Sequence, residues 1–231
     1  MTPYREAVKE AIAVRLTYYG HSSFLLEAAD GTRVILDPYR AGSFNGAFRY
    51  GAIPDTAEAV VATHTHDDHG AVDTIPGHPQ IFIQPSSATV GPWEITGIDV
   101  AHDAEGGRSR GKNTIVVLDD GDVRLAHLGD LGHTLDASTV AAIGRVDVLL
   151  VPVGGFFTID HAQAAEVVES LDPRIVIPMH YKTPKVDFPI SEPEPFLATQ
   201  KTVEQVSGST IEVTRATLPA GRVTYVLQPA L

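Results

Sequence analysis

The sequence has no cysteine, one tryptophan and two methionines among 231 residues. Without thiols, disulfides, thiolate ligands and cysteine nucleophiles are all excluded. Any metal site must be built from imidazole and carboxylate groups. Basic residues are also scarce, 17 against 29 acidic ones, for a net charge of -12. Such a chain repels a phosphate backbone unless a local patch compensates, and the densest basic group is only Arg108, Arg110 and Lys112. No nucleic-acid partner is expected. No apolar run approaches the ~20 residues of a membrane span, so no membrane partner is expected either. Residues 1–14 carry Arg5, Glu6, Lys9 and Glu10 and lack an apolar segment followed by a small-residue cleavage site. That is not the pattern of a signal peptide, and a cytoplasmic protein is expected. A Gly-x-Ser-x-Gly nucleophile elbow is missing as well.

What is present is a 43% hydrophobic chain without repeat, low-complexity tract or linker, so one domain over residues 1–231 is expected. Its organising stretch is Thr63-His64-Thr65-His66-Asp67-Asp68-His69-Gly70, directly after the apolar run Ala59-Val60-Val61-Ala62. A β-branched run ending in a polar cluster predicts a buried strand that delivers side chains to its carboxyl edge. In extended chain His64 and His66 project to the same side, and Asp68 and His69 follow in a turn or helix start. Imidazoles and carboxylates gathered in one short loop are the ligand types preferred by borderline cations such as zinc. A water-facing polar loop is the alternative, and three histidines with two aspartates in six residues argue against it.

Around this stretch the pattern predicts a short helix over residues 3–13, then strands over 14–19, 22–28 and 33–38 with a hairpin turn at Asp30-Gly31. Residues 39–56 form a long loop expected to rim a site. Ile81-Phe82-Ile83 is a strand, a Pro-Ser-Ser turn follows, and further strands span 93–101, 114–118 and 123–127, with a Gly-rich loop over 103–113. Helix 135–143, strand 146–153, helix 161–171 capped by Asp160, and strand 174–178 alternate after that. Residues 193–207 are expected to be helical, with strands at 210–213 and 223–227. Strand-rich segments followed by alternating strands and helices predict a mixed α/β fold of packed sheets with helices outside.

If the organising stretch binds metal, further ligands should stand at other strand ends. His102 follows Val100-Ala101, Asp130 lies in His127-Leu128-Gly129-Asp130, and His180 follows Pro178-Met179. The His-x-His-x-Asp-His pattern, with these three positions, resembles the metallo-β-lactamase superfamily. Within it the chain is most similar to the small hydrolases akin to ascorbate-6-phosphate lactonase. Tyr19-Gly20-His21-Ser22-Ser23-Phe24, Ile35-Leu36-Asp37-Pro38, Val151-Pro152-Val153-Gly154-Gly155 and Ile177-Pro178-Met179-His180-Tyr181 extend the likeness over residues 18–183.

The resemblance implies a four-layer αββα sandwich and two divalent metal ions, zinc first, with Mn2+, Fe2+, Co2+ or Ni2+ as substitutes. It assigns His64, His66 and His102 to one metal, Asp68, His69 and His180 to the other, and Asp130 to the bridge. The family often has a glycine-rich motif around the third ligand, which here reads Val100-Ala101-His102-Asp103, so His127 competes with His102 for that place. Asp68 would also be catalytic, orienting a hydroxide that bridges the metals and relaying a proton to the leaving group. Hydrolysis of an ester, lactone, amide or phosphodiester in a small-molecule substrate follows. Iron-binding flavoprotein relatives carry Glu in place of His66, which favours hydrolysis over dioxygen chemistry.

Asp37 is a candidate to orient a ligating imidazole. His21 and His133 are candidates to face the substrate or support the site, and Arg110, Lys112 and Asn113 to grip an anion. The loops at 39–56 and 103–113 and the last ~45 residues are expected to shape the pocket. A scaffold that retains the metal site without turnover is the competing class, and a homo-oligomer is compatible with either.

Overall fold

The computed structural model describes residues 13–231. The helix expected over 3–13 lies outside the described residues, apart from the non-helical Ala13. In chain order the strands are β1 (Val14–Gly20), β2 (Ser23–Glu27), β3 (Arg33–Leu36), β4 (Ala59–Ala62) and β5 (Gln80–Ile83). Then come β6 (Ser87–Val90), β7 (Trp93–Ala101), β8 (Lys112–Asp119), β9 (Arg124–His127) and β10 (Val148–Pro152). β11 (Ile175–Met179), β12 (Val203–Gln205), β13 (Thr210–Val213) and β14 (Val223–Val226) follow. The helices are α1 (Ala137–Ile143), α2 (His161–Leu171) and the single turn α3 (Glu194–Leu197).

These strands make two mixed sheets, ordered β13-β1-β2-β3-β4-β5 and β12-β14-β11-β10-β9-β8-β7-β6. Period-two alternation decides what each strand buries. Leu16, Tyr18, Phe24, Leu26, Val34 and Val61 of the first sheet join Trp93, Ile95, Val116, Leu150 and Ile177 of the second in one core between them. Central strands β4 and β10 are apolar throughout and buried at every residue, as parallel strands covered on both faces must be.

The outer face of the eight-stranded sheet offers Ile115, Val117, Leu149 and Val151 to α2. Ala164, Val167, Val168 and Leu171 of α2 point inward at helical spacing. Asp160 and Gln163 close a capping box at its start. On the far face of the other sheet, Tyr19, Leu25, Ile35 and Val60 pack against Tyr39, Phe48, Tyr50 and Phe188, which come from irregular segments. The fold is the α/β sandwich anticipated, with its described helices concentrated on one side.

Two segments depart from expectation. Residues 193–207 hold one helical turn and then β12, which pairs in parallel with β14. Pro193 and Pro195 confine helix to a first turn, and the open edge of β14 captures Val203–Gln205. Where a turn was expected after Pro85, Ser87–Val90 pairs with β7 across the Gly91-Pro92 turn. The position of the site follows from strand direction. Pairing makes β1, β3 and β4 parallel to one another within their sheet, and β7, β9 and β11 parallel within theirs. The carboxyl ends in each sheet therefore share an edge, and every candidate ligand lies just past one of them.

Candidate metal centre

His64 and His66 leave β4 on one side of the chain, with ring centroids 4.6 Å apart. His102, one residue beyond β7, faces them at 4.9 and 5.1 Å. One ring nitrogen from each of these three imidazoles lies within 4.8 Å of the others. A second group with the same closeness comprises His21, Asp68, His69 and His180. His21 sits in the turn after β1, and its Nε2 is 3.2 Å from Asp68 Oδ2; its ring centroid is 4.0 Å from that of His180.

Asp130 stands between the two groups. Its Oδ2 is 3.1 Å from His102 Nε2 and 3.8 Å from His64 Nε2. Its Oδ1 is 3.0 Å from His69 Nε2 and 3.3 Å from His180 Nε2. Yet Asp130 Oδ1 and the Nε2 atoms of His64, His69 and His180 are buried without any hydrogen-bond partner. Buried polar atoms are rarely left so. Close approach of atoms that stay unpaired is the disposition of groups that could hold a metal ion. This donor set, nitrogen and carboxylate oxygen at short range, fits divalent cations.

The orientation of the rings is enforced from behind. Asp37, past the end of β3, accepts hydrogen bonds from the Thr63 N–H and the Thr63 hydroxyl, both at 2.7 Å. It also accepts one from His69 Nδ1 at 2.7 Å. Thr63 Oγ1, its proton committed to Asp37, accepts from His64 Nδ1 at 3.0 Å. Both imidazoles therefore carry the proton on Nδ1 and turn Nε2 toward Asp130, the arrangement a ligating histidine needs. Three residues of the centre hold left-handed backbone: His21 at φ 55°, Asp37 at φ 44° and His180 at φ 51°. Non-glycine residues there cost about 1–3 kcal/mol each. The His180 N–H donates to the His21 carbonyl at 2.8 Å and ties two of the strained turns together.

Burial is the main influence on protonation. It pulls His21 down to about 4 and His64 down to about 3, reinforced by the neighbouring imidazoles His180 and His69 respectively. His66 is lowered in the same way. His69 is raised, because Asp130, Asp37 and Asp68 together outweigh its desolvation. Asp68 and Asp130, despite desolvation, lie below the ordinary carboxylate range because histidines surround them.

The remaining candidates are placed as follows. His127 is fully buried, donates from Nε2 to the Ser22 carbonyl at 2.8 Å and accepts the Gly129 N–H on Nδ1 at 3.0 Å. With both nitrogens engaged it belongs to neither group, and His102 occupies the contested position. Asn113 is buried behind Asp130, accepting its N–H at 3.1 Å and donating to the Leu128 carbonyl at 2.8 Å. His133 accepts the Ala101 N–H at 3.3 Å, just before His102. Lys112 is exposed at the start of β8.

Arg110 lines a cavity of about 660 Å³ with Phe44, His66, Asp68, Phe157 and Phe188, open to His102 and Asp130. The loops at 39–56 and 103–113 therefore do line the cavity, whereas no residue beyond Phe188 does. Of the last ~45 residues Phe188 thus reaches the cavity, while most of the others form or connect strands β12 to β14. What sequence reasoning undervalued is His21, whose approach to Asp68 and His180 spans 47 and 159 positions and has no local signature.

Two mixed sheets with a histidine–aspartate centre at their shared edge define a metallo-β-lactamase-type sandwich. The β-lactamase superfamily domain matches residues 15–180, and the chain belongs to that superfamily. It is 33% identical over 231 aligned residues to a UPF0173 metal-dependent hydrolase of Aeropyrum pernix, covering 83% of this chain and 90% of that one. A Pyrococcus horikoshii protein of the same description is 30% identical over 197 residues, 74% of this chain and 85% of the other. A metallo-β-lactamase superfamily structure from Thermotoga maritima superposes with a TM-score of 0.74 at 32% identity, covering 93% of this chain and all of that one. A metallo hydrolase from Ignicoccus hospitalis, at 23% identity and a TM-score of 0.61, shares the fold.

Proposed function

We propose that this chain is a metal-dependent hydrolase that cleaves an ester, lactone or phosphodiester bond in a small molecule. His64, His66 and His102 would hold one divalent cation, and Asp68, His69 and His180 the other, with Asp130 shared between them. The observation that carries this reading is the division of Asp130, one oxygen toward His102 and the other toward His69 and His180. Zinc suits the imidazole-rich first group, and manganese, iron, cobalt or nickel would suit the mixed set. Two such cations, when bound, would supply a hydroxide nucleophile at neutral pH and polarise the scissile carbonyl or phosphoryl group.

The protein's own contribution is placement and proton handling. Asp68, ionised and lining the cavity, can accept a proton from the attacking water and return it to the leaving group. His21, at 3.2 Å, fixes the carboxylate oxygen that does this. The relatives described as metal-dependent hydrolases support the reaction class. The test is metal content per chain in protein purified without chelator or added metal, with turnover on ester, lactone and phosphodiester panels. About two ions per chain, turnover abolished by chelation and restored by zinc or manganese, are expected. Absence of bound metal even after add-back would sink the reading.

A further inference from the structure

The entrance of the cavity carries a second pattern that the metal groups do not use. Four loops meet there. Residues 39–56 bring Phe44, residues 103–111 bring Ser109 and Arg110, residues 153–160 bring Phe157, and residues 181–192 bring Phe188. Phe44 and Phe188 pack edge to face at 5.0 Å, and Phe157 and Phe188 at 5.8 Å. They form a continuous aromatic wall. Phe44 is nevertheless 43% exposed, and Phe156, beside Phe157, is 60% exposed. Two of the largest exposed apolar side chains thus stand at one opening, a placement that marks a ligand surface more than chance exposure does.

Arg110 lies on this wall. Its guanidinium carbon is 5.4 Å from the Phe157 ring centroid and 6.0 Å from that of Phe156, within cation–π range. Among the described residues it makes no salt bridge, whereas Arg40, near the same rim, is neutralised by Asp67 and Asp73. Its loop is built to hold it. The Asp103 carboxylate accepts four backbone N–H groups, from Glu105, Gly107, Ser109 and Arg110, at 2.8–2.9 Å. A planar cation stacked on an aromatic face, with its donors uncommitted, is the recognition device for a carboxylate or phosphate. The net charge of -12 repels anions at long range, so a local cation is what an anionic substrate would require.

We infer that the substrate class is an anionic ester or lactone with an aryl or alkyl body. Its carboxylate or phosphate docks on Arg110, its apolar part lies against Phe44, Phe157 and Phe188, and its scissile bond reaches the centre. The inference deepens the hydrolase reading and rests on it for the bond broken, but the binding preference can be measured separately. Turnover by the metal-loaded protein is compared for para-nitrophenyl valerate and the para-nitrophenyl half-ester of glutaric acid, which differ by the terminal carboxylate. A preference of about tenfold or more for the anionic ester is expected, the scale of one charge-assisted contact. Arg110→Gln should bring the ratio close to one and Arg110→Glu should invert it. Arg108→Gln, an exposed arginine of the same loop outside the cavity lining, should leave the ratio unchanged.

In parallel, naphthalene sulfonate and naphthalene sulfonamide are titrated calorimetrically into metal-loaded protein. The sulfonate should bind about tenfold tighter, Arg110→Gln should erase that advantage, and Phe157→Ala should weaken both. A para-nitrophenyl phosphate arm, read as inhibition of ester turnover or as calorimetric binding, distinguishes phosphate from carboxylate as the preferred anion. Equal binding of sulfonate and sulfonamide, or a ratio untouched by Arg110→Gln, overturns the inference even if esters are hydrolysed. Selective anion binding without metal-dependent turnover of any ester, lactone or phosphodiester would overturn the hydrolase reading and leave the ligand class standing.

Discussion

Asp37 Oδ2 lies 2.7 Å from His69 Nδ1, and both side chains are completely buried. The same carboxylate holds Thr63, which holds His64. One aspartate thus sets the tautomer of an imidazole in each of the two ligand groups.

Asp37→Asn is therefore expected to weaken metal binding at both positions, by about 10- to 100-fold, the usual effect of losing such a partner. Competition with a chromophoric zinc chelator reads this directly. Unchanged affinity at both positions would show that Asp37 serves packing alone.

Asp130→Ala removes, among the described residues, the carboxylate whose two oxygens face His102 on one side and His69 and His180 on the other. Metal content should fall from about two ions per chain to one or fewer, with loss of turnover. Elemental analysis of the purified variant decides between a shared bridge and two independent sites.

Acid sensitivity follows from the buried imidazoles. In metal-free protein His21 and His64 stay neutral down to about 4 and about 3, against an ordinary imidazole value of 6.5. Between roughly pH 6.5 and 4 the unfolded chain binds protons that these two refuse, so stability falls as pH falls. Each contributes a slope of about 1.4 kcal/mol per pH unit. His69, raised in the fold, is protonated in both states across that window and adds nothing there; its own contribution is lost only at higher pH. Urea denaturation of chelated protein at several pH values should show the slope, and His64→Gln should reduce it.

Gly129 has φ +52°, and a Cβ there would come within 2.3 Å of Asn113 Oδ1 and 2.7 Å of Thr63 Oγ1. Gly129→Ala is expected to destabilise the protein by roughly 2–5 kcal/mol, combining the left-handed backbone cost with overpacking. Because Thr63 and Asn113 support His64 and Asp130, metal affinity should fall with it. Gly121→Ala, at φ +88° with open space around it, should show the backbone cost alone. Denaturation midpoints of the two variants separate the causes.

Asp103 is held down to about 2 by its four backbone donors. Asp103→Ala frees those N–H groups, and amide hydrogen exchange at Glu105, Gly107, Ser109 and Arg110 should accelerate while the sheets keep their protection.

The sequence carried the centre where ligands are local and the fold where periodicity is regular. His64, His66, Asp68 and His69 announce themselves because strand pleat and turn put them together within six residues. His102, Asp130 and His180 were legible because each follows a segment whose pattern reads as a strand. The choice between His102 and His127 was not, since it turns on which hydrogen-bond partners meet each ring. His127 ends β9 facing the Ser22 carbonyl, 105 positions away. His21's neighbours and the Arg110–Phe157 stack are likewise long-range. The 193–207 segment was misjudged because its helical pattern competes with the open edge of β14, which no local window contains.

That segment leads into a chain path that crosses between layers. β12 and β14 extend the eight-stranded sheet, while β13, between them in sequence, returns to pair with β1 in the other. Val14 thereby meets Val213, and the partners are 199 positions apart. On a ribosome neither sheet can acquire its final edge until residues 210–226 have emerged. Such late, non-local pairing slows folding and leaves the open edge of β1 exposed throughout synthesis. Strand β13 therefore acts as a latch on β1, and a chain cut near residue 200 would lose an edge from both layers at once.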